Sequence, residues 1–449
     1  VLTVKPAKSM KGNYQLPPSA DLFVLATVLS ISSRKSITLT PFTDTPLIRL
    51  WIDTLKGCAI LEQLENGWSI KPVLEDPAQF IRISTPFVPY RELIIFTLLG
   101  MGKTIAFSSI SHKRLQSWLD RARRYNIDLS ISTYDDTAGI SIINAPDQFA
   151  INKLHNDNDI SMLLGLAAGF HGTLSFLINF PFTSPIRTIA ALLGFEITVK
   201  STIEKENDPM ARRIKLMQKK TTVSSGMQYS FTANFTSKEN DESIIPITLP
   251  GDEVLSSLLL TARCLIQKGS FVLGNIPLET WSSPVLNFIR KMGTKVTAQE
   301  TGRTSFGSTG LITMQKIELV GRKLECKPLA NYESFLPSLT ILAAFAQGQS
   351  VFRGLEDLRN DEPDGIDLIE SCVRQLGARH GEMPDGIVME GGKDFDGFDF
   401  EKAYHAELSA AFAMAGLHCV GTTTINDEYI VQRWPDFETI LSTLFEFRS

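Results

Sequence analysis

Six histidines (His112, His155, His171, His380, His405, His418) and five cysteines (Cys58, Cys264, Cys326, Cys372, Cys419) have the side-chain types for metal or nucleophilic chemistry. Their spacing supports neither. No CxxC pair occurs, and the remaining five histidines beside His405 form no zinc-like pattern, so neither a metal nor a cofactor is expected. Dispersed thiols in odd number fit a reducing compartment, which makes a cytoplasmic location the expectation. One basic run, Arg212, Arg213, Lys215, Lys219 and Lys220, sits between the polar stretches EKENDPM and SKENDES. It reads as a solvated loop rather than an anion site. The net charge of −5 offers no field for a polynucleotide, so no nucleic-acid partner is expected.

The elements that must position any site recur along the chain. An apolar helix of about a dozen residues, a Gly or Lys turn and a short strand are followed by a polar turn, a second helix and often another strand. First halves of such units start near Asp21, Arg91, Asp159, Val254, Leu336 and Leu408. The helices end in glycine at Gly57, Gly194, Gly293 and Gly377, where a left-handed residue closes the last turn. A spacing of roughly 70 to 90 residues is too long for an ordinary solenoid repeat and suits a duplicated βα module. The stretch Ile160 to Phe180 has the length of a membrane span but carries three glycines, His171 and Asn179. It also keeps the phase of the other units, so a buried helix and strand is expected and no membrane association. A hydrophobic content of 43% with 21% charged residues places the chain among ordinary globular proteins of two or three domains. The irregular stretch from about Lys200 to Leu249 is the natural boundary between two halves of three units.

Several phrases resemble the enolpyruvyl transferases, above all their 5-enolpyruvylshikimate-3-phosphate synthase branch. LPGDEVLSSLLLTARCLIQKGSFVLGNIP is similar to the family's PGD helix and strand, and LPSLTILAAFAQGQSVFRGLEDLR to its P-x-L-A-V-L-A-A-F-A-x-G phrase. YHAELSAAFAMAGL resembles D-H-R-x-A-M-A-x-A-x-A-G, VQRWPDFETIL the closing phrase, and TDTPLIRLWIDTLKG a phrase of the first half. The resemblance implies an α/β, two-domain enolpyruvyl-transferase-like fold with six repeated βα units, three per domain, around a central cleft. The domains would be 18–242 and, because the family's chain crosses over twice, 1–17 with 243–449.

The same resemblance implies a site that binds two anions, phosphoenolpyruvate and shikimate 3-phosphate, in the aromatic amino acid pathway. Residue by residue the expected cations are missing. Motif positions holding Lys or Arg fall on Ala20, Leu25, Ala406 and Gln432, the S-R-P-Y arginine on Ser184, another arginine on Gly365, and a catalytic Asp on Ser334. What matches is Glu362 and His405 as catalytic candidates, with Arg91, Lys113 and Arg433 as substrate-binding candidates. Each also has a structural reading: Glu362 as a helix N-terminal carboxylate, His405 as a helix-start residue, Arg91 as a partner of a nearby acid. Asp44 and Thr45 match too, and read as an N-cap. Charge-assisted hydrogen bonds contribute about 1.5–3 kcal/mol each, so losing three phosphate ligands weakens binding by about three to six decades. The expectation is a family member that is non-catalytic or repurposed, a pseudoenzyme whose partner is an unidentified small-molecule anion or protein. The alternative is an active carboxyvinyl transferase, in the shikimate pathway or on a modified substrate. Asp21, Asp361, Glu362 and Asp364 are expected to repel one another across the cleft and keep it open.

Overall fold

The computed structural model describes the chain apart from residues 74–78, 86–87, 135–136, 203–227, 237–242, 280–283, 316–317, 327–331, 393, 401–404 and 449. The basic run from Arg212 to Lys220 lies outside the described residues. Five four-stranded sheets share one connectivity. In the first, Ile37–Thr40 lies parallel to Ile245–Thr248 and antiparallel to Gly67–Pro72, which pairs in turn with Ala59–Leu64. The sheets organised on Thr104–Phe107, Thr173–Ile178, Phe271–Pro277 and Gly348–Arg353 repeat that order. The last repeat is shorter, a three-stranded sheet of Leu2–Val4, Thr423–Ile425 and Asp399–Phe400. All three N-terminal strands pair with strands of the second half: Leu2–Val4 here, Ala7–Met10 with Phe445–Phe447, and Gly12–Gln15 with Phe271–Pro277.

Alternation in the strands hides one face of each sheet, as in Thr173–Ile178, where every second residue is buried. The covered faces meet helices that are apolar nearly all round, which is what a helix enclosed by sheets and other helices requires. Every residue of the Ala20–Ser33 and Glu253–Leu265 helices is buried. Two cores result. One is built from residues between Ala20 and Leu249, and the other from Leu2 to Leu16 with the chain after Val254. Phe306 is the exception, a second-half residue buried in the first core.

The stretch read as helix and strand is one: Ile160–Phe170 is α-helical, His171 takes φ 55°, and Thr173–Ile178 is a strand. Its glycines, which spoke against a span, have a packing role. A Cβ on Gly169 would lie 2.4 Å from the Thr97 carbonyl oxygen, and one on Gly165 2.5 Å from that of Leu93. The helix therefore packs backbone-to-backbone on Arg91–Gly100, an approach only glycine permits. Among the described residues no helix is long and apolar enough to cross a membrane.

Candidate functional site

Six buried helices start at the seam between the two cores, and each brings a carboxylate to its first turn or cap. Asp21 opens Ala20–Ser33, Glu92 opens Arg91–Gly100, and Asp159 precedes Ile160–Phe170. Asp252 and Glu253 start Glu253–Leu265, Glu333 starts Tyr332–Phe345, and Glu407 starts Ala406–Gly416. A helix N-terminus presents unsatisfied N–H groups and a partial positive charge, so it attracts anions. Here the chain supplies them itself. Asp252 shows this directly, accepting from the backbone N of Val254 and of Leu255, both at 2.9 Å.

Arginines tie these carboxylates into two lattices that cross the seam. In the first, Arg91 donates to Glu333 at 2.7 Å and to Asp361 at 3.2 Å. Arg114, fully buried, donates to Asp357 at 2.7 Å and from Nε to Asp361 at 3.0 Å. Arg121 continues the lattice to Asp159 at 2.8 Å and to both oxygens of Glu92, which also accepts from Trp118. In the second, Arg433 donates to both oxygens of Asp21 at 2.8 Å and to Glu407, whose other oxygen lies 3.0 Å from His405 Nδ1. Trp434 Nε1 donates to Asp252 at 2.9 Å, and the Tyr90 hydroxyl reaches Glu253 at 3.4 Å.

The charges settle accordingly. Burial alone would push the Asp357 and Asp361 carboxyls up, but Arg114, with Arg121 beside the first and Arg91 beside the second, holds both below the usual range. Glu407 is likewise buried and held low by Arg433 and His405. Asp21 and Glu253 go the other way. Burial raises Asp21 to about 7 despite Arg433, with Asp252 and Glu407 adding to the rise. Burial raises Glu253 to about 8, helped by Asp21 and Asp252.

The candidates named from sequence fall in three places. Arg91, Glu362 and His405 line one cavity of about 680 Å³, together with Glu333, Ser334 and Asp361. Arg433 lies behind it, buried, in a small recess shared with His405. Lys113 is elsewhere, on an outer groove with His112 and Arg121, donating to the Arg359 carbonyl. Three expectations need correction. Three of the four acids are paired: Asp21 is held by Arg433, although Asp252 and Glu407 still oppose its charge, Asp361 by Arg91 and Arg114, and Asp364 by Arg359 at 3.1 Å. The cleft is bridged there, and Glu362 alone of the four has no arginine partner among the described residues. Glu362 is not the carboxylate that caps the following helix; Asp364 does that, accepting from Ile366 N at 2.9 Å. Lys113, expected to bind substrate in the cleft, lies on the outer groove, and the adjacent Arg114 points inward.

Thr45 caps its helix, accepting from Ile48 N at 3.2 Å, while Asp44 pairs with Arg49. Arg114, Arg121, Asp357, Glu333 and Glu253 were not singled out from sequence. The signal was available only for the first and fourth, which sit one residue from the positions examined for the missing cation and the missing Asp. The cysteines are all buried and unpaired with one another.

Comparison with known proteins places these features in a family. A family model for EPSP synthase (3-phosphoshikimate 1-carboxyvinyltransferase) matches residues 214–441. The 3-phosphoshikimate 1-carboxyvinyltransferase of Acaryochloris marina is 26% identical over 200 residues, 44% of this chain and 45% of that one. That of Carboxydothermus hydrogenoformans is 25% identical over 201 residues, 44% of this chain and 47% of that one. The chain thus spans about half the length of the curated relatives it matches. In structure, the EPSP synthase of Acinetobacter baumannii superposes over 99% of this chain and 98% of its own, with TM-score 0.64 at 16% identity. The enolpyruvyl transferase NikO of Streptomyces tendae covers 98% of this chain and 96% of its own, with TM-score 0.62 at 13% identity. The mixed α/β fold is that of the enolpyruvyl transferases.

Proposed function

This chain belongs to the EPSP synthase family, and we propose that within it the chain is a non-catalytic or repurposed member. One observation carries the reading. The guanidiniums at the seam are already engaged by the chain's own carboxylates, with Asp361 against Arg91 and Arg114, and Asp21 against Arg433. A diffusing phosphate or carboxylate would have to displace a tethered anion that has little translational freedom left to lose. It would also enter a region with more acids than bases. The two cores are read as two domains, 18–242 and 1–17 with 243–449, and the bridged seam as their cleft. A cytoplasmic location is part of the same reading, supported by five buried thiols without a disulfide.

The test is phosphate release from shikimate 3-phosphate plus phosphoenolpyruvate, expected to stay at background. Turnover within two orders of magnitude of an ordinary family enzyme would sink the proposal. A second reading, an active transferase on a modified substrate, is favoured by one feature: Glu362 and His405 both face the 680 Å³ cavity. A carboxylate and an imidazole there remain able to exchange protons with a bound molecule.

A further inference from the structure

The cavity beside the lattice has a chemistry of its own. Its charged surroundings are three guanidiniums (Arg91, Arg114, Arg433) and six carboxylates (Asp21, Glu333, Asp357, Asp361, Glu362, Glu407) among the described residues. Each guanidinium already meets two carboxylates. Glu362 is left over: it is exposed to the cavity, and no cation pairs with it among the described residues. Ser334 supplies an independent sign of an occupant. It is 3% exposed, lines the cavity, and its hydroxyl has no hydrogen-bond partner. A buried hydroxyl without a partner is costly, and a ligand group that pairs with it removes that cost. The rest of the wall is mixed, with an apolar part from Val88, Phe107, Leu336, Leu358, Ile369 and Leu408 beside the hydroxyls of Ser108, Ser109, Ser111 and Thr137.

An anion entering here would meet more carboxylates than guanidiniums, and of the cavity-lining Arg91 only Nε is without a hydrogen-bond partner, since its other nitrogens already meet Glu333 and Asp361. A neutral apolar molecule would cover the wall but leave Glu362 and the Ser334 hydroxyl unmet. We propose that this cavity binds a primary amine carried on an apolar body, with the ammonium toward Glu362 and a polar group within reach of Ser334. The inference goes beyond the absence of transferase chemistry and does not depend on it. An ammonium has three donors and no acceptor, which matches a carboxylate rim and excludes the arginines behind it. The apolar body gains from leaving water against the aliphatic wall.

Two phenolic probes of similar size and opposite charge decide the matter. Tyramine and 4-hydroxyphenylacetate share a phenol ring and a short arm ending in ammonium or carboxylate. Calorimetric titration of the full chain is expected to give a dissociation constant at least about tenfold lower for tyramine. Glu362→Gln, at an exposed position, is expected to weaken tyramine about fivefold or more while leaving the melting temperature unchanged. Ser334→Ala should weaken it less. Equal or tighter binding of the carboxylate, no heat from either probe, or an unaltered Glu362→Gln titration would each overturn the proposal. Phosphate release is read separately, so transferase turnover would remove the non-catalytic reading without deciding the amine preference.

Discussion

Arg114 and Asp361, 247 residues apart, meet in a fork: Nε lies 3.0 Å from Oδ1 and Nη2 lies 2.9 Å from Oδ2. Arg114 stands on the His112–Arg123 helix of the first core, and Asp361 follows the short Glu356–Asn360 helix of the second. Nε donates a hydrogen bond while Nη2 adds an ion-pair contact without one, so the pair ties the two elements at short range. The relation between the two cores is therefore written in side chains that the chain itself carries.

Removing one partner of a buried pair leaves the other charged and desolvated. Arg114→Met is expected to cost about 3–5 kcal/mol in urea denaturation, because Asp357 and Asp361 both lose a donor. Asp361→Asn should cost less, since an amide oxygen still accepts from Arg114. A loss below about 1 kcal/mol for Arg114→Met would show that the fork does little to hold the halves. Small-angle scattering should show the Arg114→Met protein expanded relative to the parent.

Adding one cation does not rebuild an anion site. Ala20 is 3% exposed and precedes Asp21, so Ala20→Lys places its ammonium beside a carboxylate already shared with Arg433. Phosphate release from shikimate 3-phosphate plus phosphoenolpyruvate is expected to remain at background in this variant. Scattering of the parent should also be unchanged by the two ligands together, since compaction requires contacts that differ between two states. Activity restored by this substitution, or compaction on adding the ligands, would return the chain to the altered-substrate reading.

The pH dependence has a definite sign. Asp21 and Glu253 have folded-state values near 7 and 8, above those of an unfolded carboxylate. The folded chain binds the extra protons, so their contribution is full below about pH 4 and is lost as pH rises through 7 to 8. Asp357, Asp361 and Glu407 are held low, and their contribution is lost only as pH falls below the ordinary carboxylate range. Thermal melts should therefore show stability declining from about pH 5 to pH 8. Glu253→Gln, which fixes the neutral form and keeps an acceptor for Tyr90, should flatten that decline and raise the melting temperature at pH 8. An unchanged slope would mean Glu253 is ionised in the fold throughout.

The repeated helix-strand phrase was legible because it depends on neighbours three, four or two residues away. Ile160–Phe170 and Thr173–Ile178 follow from that periodicity, and so does the cap at Thr45. That Ala20 stands where the family's phrase has a lysine, with the acid Asp21 next to it, was plain in the sequence. What the acids do was not. Asp21 and Arg433 lie 412 residues apart, and no local pattern joins them. Read without its partner, an extra carboxylate implies repulsion, and paired with an arginine it becomes a bridge. A single residue of register separated Lys113 from Arg114 and Ser334 from Glu333, and in a helix one residue turns a side chain by about 100°.

A second contact ties the halves together away from the arginine lattice. Phe306 sits at the tip of the hairpin formed by Lys295–Thr304 and Gly307–Gln315, in a second-half sheet, yet it is buried in the first core at 3% exposure. Beside it Ser305 N donates to the Thr248 carbonyl at 3.2 Å, and its hydroxyl accepts from Thr248 N at 2.8 Å. The hairpin is thus pinned next to the strand Ile245–Thr248, where the chain passes from one half to the other. Phe306→Ala removes a ring from a packed core and is expected to cost about 3–5 kcal/mol in urea denaturation. Phe306→Leu, which keeps most of the volume, should cost much less. Because Phe306 stands at the hairpin tip beside Thr248 and Arg114 in the arginine lattice, their costs should add within about 0.5 kcal/mol if each restrains the halves independently. A double variant markedly less damaged than that sum would mean that losing either contact already frees the seam, so that the halves are held by one cooperative interface rather than two separate ties.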